Sequence, residues 1–174
     1  MSTPANFTSL LARLLSDSAL RREFARDSIL VAKKLTSDPA LQQTIVGLDL
    51  ECLNRQALTL LRKRWFEISQ VLPVTCAELG KQGWPLFVEY AEKHWPEGHL
   101  RHVDDALKFG QFLEKRNAPE LNGLEWKRFW FSRSGHLIQI SRVRQRLASG
   151  KEKKFWHCLW RNSTTGYREL RFGW

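Results

Sequence analysis

No apolar run in this sequence approaches the ~20 residues that a membrane-spanning helix needs, so a membrane protein of that kind is not expected. The stretch 6–15 is broken by Arg13 and followed by Asp17 with no small-residue cleavage site, so it does not read as a secretory signal. Cysteine is scarce: Cys52, Cys76 and Cys158 are odd in number and none belongs to a CxxC pair. That suits reduced thiols and a cytoplasmic location better than a disulfide framework. A nucleophile elbow of the GxSxG kind is missing. So is a glycine-rich phosphate loop, the ten glycines being isolated turn markers. RNP-like, KH and helix-turn-helix signatures are missing too, and there is no internal repeat or low-complexity segment.

Acidic residues are nearly missing from residues 126–174, where Glu152 and Glu169 face twelve lysines and arginines. This stretch carries the whole net charge of +10, because residues 1–125 balance sixteen basic against sixteen acidic residues. It also holds five of the eight tryptophans: Trp126, Trp130, Trp156, Trp160 and Trp174. A neutral body with a basic, aromatic end reads as a scaffold presenting a binding surface, since such asymmetry concerns partners rather than fold. An acidic peptide, an acidic protein face or nucleic acid would suit it.

The first two-thirds follows helical periodicity. Phe7, Leu10, Leu11, Leu14 and Leu15 repeat at three or four residues. Asp17 or Ser18 is placed to cap a second short helix with Leu20, Phe24 and Ile29. Asp38-Pro39 is a helix start with an acid as cap and proline at the first position. The longest helix is expected over about 50–70, capped by Asp49, with Leu53, Ala57, Leu60, Leu61, Ile68 and Leu72 on its apolar face. Thr75 and Glu78 have capping-box spacing. Helices follow over 86–94, with Phe87, Tyr90 and Ala91 inward, and over 100–116, with Val103, Ala106, Leu107, Gly110 and Leu113 inward. Pro119 is read as opening a last helix that runs to about Phe131. After Ser134-Gly135 the period shortens to two: Leu137–Val143, Phe155–Arg161 and Tyr167–Phe172 read as strands with turns between them. A three-stranded sheet needs a helix on one face, and 119–131 has Leu124, Phe129, Trp130 and Phe131 to supply it. Most of the tail's aromatics are therefore expected in the core.

Three chemistries are weighed. His99 and His102, with His94, Asp104 and Asp105 nearby, have helical metal-ligand spacing. No second pair completes a four-ligand set, and a polar helix start with acids suited to the helix dipole explains these residues. His157 and Cys158 are strand neighbours that point to opposite faces. The three cysteines read as small buried hydrophobes. Neither a catalytic residue nor a metal ligand is therefore expected on this chain. The remaining chemistry is binding. Arg142 and Arg144 share a face of the first strand, Arg161 lies on the second, and Tyr167, Arg168 and Arg171 lie on the third, with Arg168 and Arg171 framing an edge. These residues suit a peptide with carboxylates, and equally a nucleic acid that stacks on the aromatics.

The segments "SLLARLLSDSALRREFARD", "LDLECLNRQALTLLRKRWFEISQVLPVTC", "FVEYAEKHWPEGHLRHVDDALKFGQFLEKR", "LEWKRFW" and "YRELRFGW" together resemble a known family over nearly the full length. It comprises the small partner proteins of multinuclear non-haem iron-dependent oxidases in bacterial ribosomal-peptide modification, of the type of methanobactin biosynthesis protein C. The resemblance implies a heterodimer with the oxidase, iron held by that partner and no cofactor on this chain. It also implies help in holding the leader of a precursor peptide whose cysteines are oxidised, to oxazolone and thioamide groups in a methanobactin-type pathway.

The expected architecture is α+β: an N-terminal helical bundle followed by a small C-terminal antiparallel three-stranded sheet. Residues 1–125 are expected to contact the oxidase. Residues 126–174, a linking helix plus the basic aromatic sheet, are expected to bind the leader through Arg142, Arg144, Arg161, Tyr167, Arg168 and Arg171. A nucleic-acid-binding sheet is the alternative.

Overall fold

The computed structural model describes residues 6–96, 98, 100–116, 123–146, 152–162 and 166–173, with backbone alone for residues 144–146 and 152. Helices come first: α1 (Phe7–Ser16), α2 (Ser18–Arg26), α3 (Ser28–Leu35), α4 (Pro39–Val46), α5 (Leu50–Val71), α6 (Pro73–Leu79), α7 (Gly83–Ala91), α8 (Arg101–Lys115) and α9 (Leu124–Arg133). Strands β1 (Ile138–Arg146), β2 (Glu152–Asn162) and β3 (Gly166–Gly173) follow as one antiparallel meander. The fold is thus α+β, helical first and sheet last. Among the described residues no helix is long and apolar enough to cross a membrane. The chain divides into two compact units. One runs to Arg64 and includes Ala91–Trp95; the other takes Trp65–Tyr90 and the chain from Pro96 onward.

Short helices in the first unit are set by acids at their starts. Asp17, Asp27 and Asp38 each accept the backbone N–H of the residue two or three positions on, at 2.8–2.9 Å. Asn6 does the same for Ser9 at 2.8 Å. Each cap satisfies a donor that the first helical turn leaves open, worth about 1 kcal/mol. Asp17 and Asp27 also end the preceding helix, so single residues separate α1, α2 and α3. Leu10, Leu14, Phe24, Val31, Ala32, Leu35, Ile45 and Leu53 form the core these turns enclose. Ile29, assigned by spacing to α2, instead belongs to α3 and is exposed. Asp27 caps a new helix there and rotates the apolar face.

The second unit is built on aromatics. Trp65, Phe87, Tyr90 and Phe109 meet with ring centroids 5.4–6.1 Å apart. Tyr90 Oη donates to Asp105 Oδ1 at 2.8 Å, which accounts for a fully buried carboxylate. Phe109 and Asp105, not Val103 and Leu107, are the buried residues of α8 besides Ala106, Gly110 and Leu113. At Gly110 an added Cβ would stand 2.6 Å from the Trp126 ring, so this glycine is what admits α9 against α8. α6 lacks the expected capping box. Its N-terminal amides, Val74 and Thr75, donate instead to the Glu125 carboxylate on α9 at 3.0 and 2.6 Å, while Thr75 is buried inside the helix. α9 begins at Leu124, and Pro119 lies outside the described residues.

α9 covers one face of the sheet through Leu124, which clusters with Val143 and Phe155, and through Phe131, edge-on to Tyr167 at 6.0 Å. On that face Phe155, His157 and Leu159 of β2 are at most 3 % exposed. Successive strand residues alternate between faces, so Trp156, Cys158 and Trp160 point the other way. They are only half-buried. This corrects two expectations: these tryptophans are not core, and the cysteines are not buried. Cys52 is exposed, Cys76 and Cys158 intermediate. A single helix covers one side of a three-stranded sheet, and the aromatics exceed what that side accepts.

Candidate binding site

Cross-strand register organises the open face into three rows. Arg142, Trp156 and Phe172 form one. Ile140, Cys158 and Leu170 form the next. Ile138, Trp160 and Arg168 form the third. No acid stands in any of them. Ile138 is 62 % exposed, Ile140 59 %, Leu170 53 % and Phe172 46 %, values that contrast with 0–3 % at Val143, Phe155, His157 and Leu159 on the covered side. The Arg142 guanidinium lies over the Trp156 ring, 4.7 Å from its centroid, a cation–π contact that holds the charge at the sheet surface. One row further, Arg144 stands opposite Lys154 by register; its side chain lies outside the described residues.

The six arginine and tyrosine candidates thus do not form one cluster. Arg142 and Arg168 belong to the open face. Arg161, Tyr167 and Arg171 belong to the face that α9 covers. Arg161 donates to the carbonyl oxygens of His136 (3.1 Å), Phe131 (3.4 Å) and Ser134, closing the C-terminal end of α9 onto β2. Its guanidinium also lies over the Phe131 ring. Arg171 Nε donates to Glu169 Oε1 at 2.6 Å. Arg168 and Arg171 therefore stand on opposite sides of β3. They flank an edge strand, since β1 and β3 each pair with β2 and with no other strand of the sheet.

Glu169 is the hub of the covered side. Arg128 of α9 grips it with two hydrogen bonds, Nε to Oε2 at 2.6 Å and Nη2 to Oε1 at 2.8 Å. This fork-on-carboxylate geometry is the strong form of an ion pair. It holds the Glu169 carboxyl down at about 2, with Arg171 assisting against the opposing effect of burial, and raises the Arg128 guanidinium. His157 Nε2 lies 3.3 Å from Glu169 Oε1. Burial nevertheless pushes the imidazole below its usual value, and Arg128 and Arg171 add to that against the pull of Glu169. These groups stitch helix to sheet. Cys76, beside Glu125, is pushed up to about 12 by burial first and by that carboxylate second, so it is a thiol at neutral pH. Among the described residues no group of three or more His, Cys, Asp or Glu side chains is placed to hold a metal ion; His99 lies outside them.

Ile138, Ile140, Leu170 and Phe172 are the residues that reading for charge missed. The signal was present: alternation in 138–144 and 168–172 put them on the side opposite the buried residues. Residues 43–115 match the family described as SCO6045-like, C-terminal domain. That span takes in α5 to α8 and stops before α9 and the sheet. No curated protein and no solved structure matches the chain.

Proposed function

We propose that this protein is a non-catalytic accessory subunit that binds an extended precursor peptide on its C-terminal sheet while paired with an iron-dependent oxidase. The observation that carries the reading is β3, an edge strand with arginines on both sides. An extended leader gains main-chain hydrogen bonds by adding to such an edge, and its alternate side chains meet those of the sheet. Arg168, exposed on the open side, is the cation best placed for a leader carboxylate. Arg171 is committed to Glu169 and contributes less.

Oxidase and leader together come from the resemblance over the helical segments and the final "YRELRFGW". In this reading the oxidase holds the iron and carries out the dioxygen-dependent oxidation of the peptide's cysteines, as in a methanobactin-type pathway. This chain holds the substrate and its partner. Peptide is preferred to nucleic acid because three of the tail's twelve basic residues are already used internally. Arg161 serves backbone carbonyls, and Arg128 and Arg171 serve Glu169. The middle row of the exposed face, Ile140, Cys158 and Leu170, carries no aromatic on which a base could stack; Trp156, Trp160 and Phe172 stand in the rows on either side of it.

The test starts from the gene neighbourhood, where an adjacent iron-oxidase gene is expected, and continues with co-expression of the two genes, size-exclusion chromatography and metal analysis. A co-eluting complex with its iron on the oxidase is expected, with this chain alone carrying no stoichiometric iron, zinc or copper and modifying no peptide. A stoichiometric metal on the chain purified by itself would overturn the reading, as would failure of the two proteins to associate.

A further inference from the structure

We infer that the β3 edge reads a leader segment of the form apolar–any–apolar–any–acid, running antiparallel to β3. Its acid lies beside Arg168 and its two apolar residues beside Leu170 and Phe172. This rests on the reading above and deepens it by fixing the direction, register and side chains of the bound peptide.

The edge is pre-formed. On the side that α9 covers, Tyr167 stands edge-on to Phe131 and Glu169 is gripped by Arg128. A strand held in this way offers its outward main-chain groups with little ordering left to do on binding. The charges of β3 on that side, Glu169 and Arg171, are paired with each other. On the other side Leu170 and Phe172 are apolar and exposed, where an edge closed to pairing carries charge, proline or a bulge. Arg168, Leu170 and Phe172 thus run from one exposed cation to two apolar residues, an order with a direction. A paired strand meets it residue by residue, because opposite side chains on one face stand about 4.5–5.5 Å apart. A slip of one residue turns the peptide's apolar side chains toward Tyr167, Glu169 and Arg171. A slip of two places its acid beside Leu170. Antiparallel pairing continues the sheet, whose two existing pairs are both antiparallel, and is slightly the more stable per residue. The peptide residue beside Phe172 therefore comes first, that beside Leu170 third and the acid fifth. No acid stands in the row of Arg168 or in the two rows next to it, so the carboxylate comes from the peptide.

The experiment titrates the full chain with three labelled synthetic peptides matched in length to β3. The first carries isoleucine, isoleucine and glutamate at the first, third and fifth positions of the motif, with threonine at the positions between and around them. The second carries the same residues in reverse order, and the third has lysine in place of the glutamate. The first is expected to bind about tenfold more tightly than either of the others. Arg168→Glu should reverse the preference between glutamate and lysine, and Leu170→Thr should weaken the first peptide severalfold. Thermal unfolding of both variants checks the fold, and the comparison of peptides on the wild-type chain stands without them. Equal binding of the three peptides, tighter binding of the reversed one, or no binding at all would overturn the inference. So would a folded Arg168→Glu chain that still prefers glutamate. The oxidase takes no part in this titration, so these failures are distinct from failure of the subunit reading, which co-elution with the oxidase judges by itself.

Discussion

Glu169 and His157 respond to acid in the same direction, through different causes. The Glu169 carboxyl sits at about 2 when folded against an ordinary 4.5, so its contribution is complete above 4.5 and lost as pH falls from there toward about 2. His157 lies below its ordinary 6.5 when folded, so the unfolded chain takes up its proton first. Stability linked to it is complete above 6.5 and declines as pH falls below that value. Thermal midpoints measured between pH 7 and pH 3 are expected to decline in two stages. His157→Gln should flatten the upper stage; an unchanged slope there would remove His157 from the account. Glu169→Gln leaves the Arg128 fork with a neutral partner and should cost about 1–3 kcal/mol at pH 7, measured by chemical denaturation. None of these partnerships was legible in the sequence. Arg128 and Glu169 are 41 residues apart, and a charge count treats both as surface residues. A separation of 50 residues from Thr75 likewise hid Glu125 as the cap of α6.

Elements were easier to read than contacts. Asp38-Pro39 opens a helix, residues 50–71 form the longest one, and the period-two runs form three strands in meander order, because helical and strand periods are local properties of the chain. What misled was the expectation that most of the tail's aromatics lie in the core. Only the side under α9 is buried, and the choice between sides is made by Leu124 and Phe131 rather than by the strands. Phe155→Ala, on the covered side, is accordingly expected to cost about 3–5 kcal/mol. Trp156→Ala, half-exposed, should cost clearly less, with equilibrium unfolding of the pair as the check. The seat of α9 gives a second comparison. Gly110→Val drives a branched side chain into the Trp126 ring and should cost at least about 1–3 kcal/mol. Gly135→Ala, where nothing lies within 4 Å of an added Cβ, should stay within about 0.5 kcal/mol of wild type. Equal losses at the two glycines would contradict the close approach of α9 to α8.

At the scale of the whole molecule the charge division points to the C-terminal end, but its cations do not share one surface. Of the candidate set, Arg161 and Tyr167 hold helix to sheet, Arg171 is tied to Glu169 of its own strand, and Arg142 and Arg168 stand at the corners of the open face. Binding through this surface should therefore depend only moderately on salt. A protein neutralising 6–10 phosphates loses about 10³–10⁵ in affinity between 50 and 200 mM salt; a peptide held by main-chain bonds and one or two ion pairs should lose far less. Titration at the two salt concentrations separates these cases, and a steep slope with DNA would favour the nucleic-acid alternative. The central claim, that the β3 edge receives an extended peptide, is tested most directly by amide hydrogen exchange on the oxidase complex with and without its precursor peptide. A peptide strand added to that edge bonds outward-facing amides of Gly166–Gly173 and should slow their exchange, with little change in Phe7–Val46. Protection confined to the helices of the first unit, with β3 exchanging as before, would contradict it.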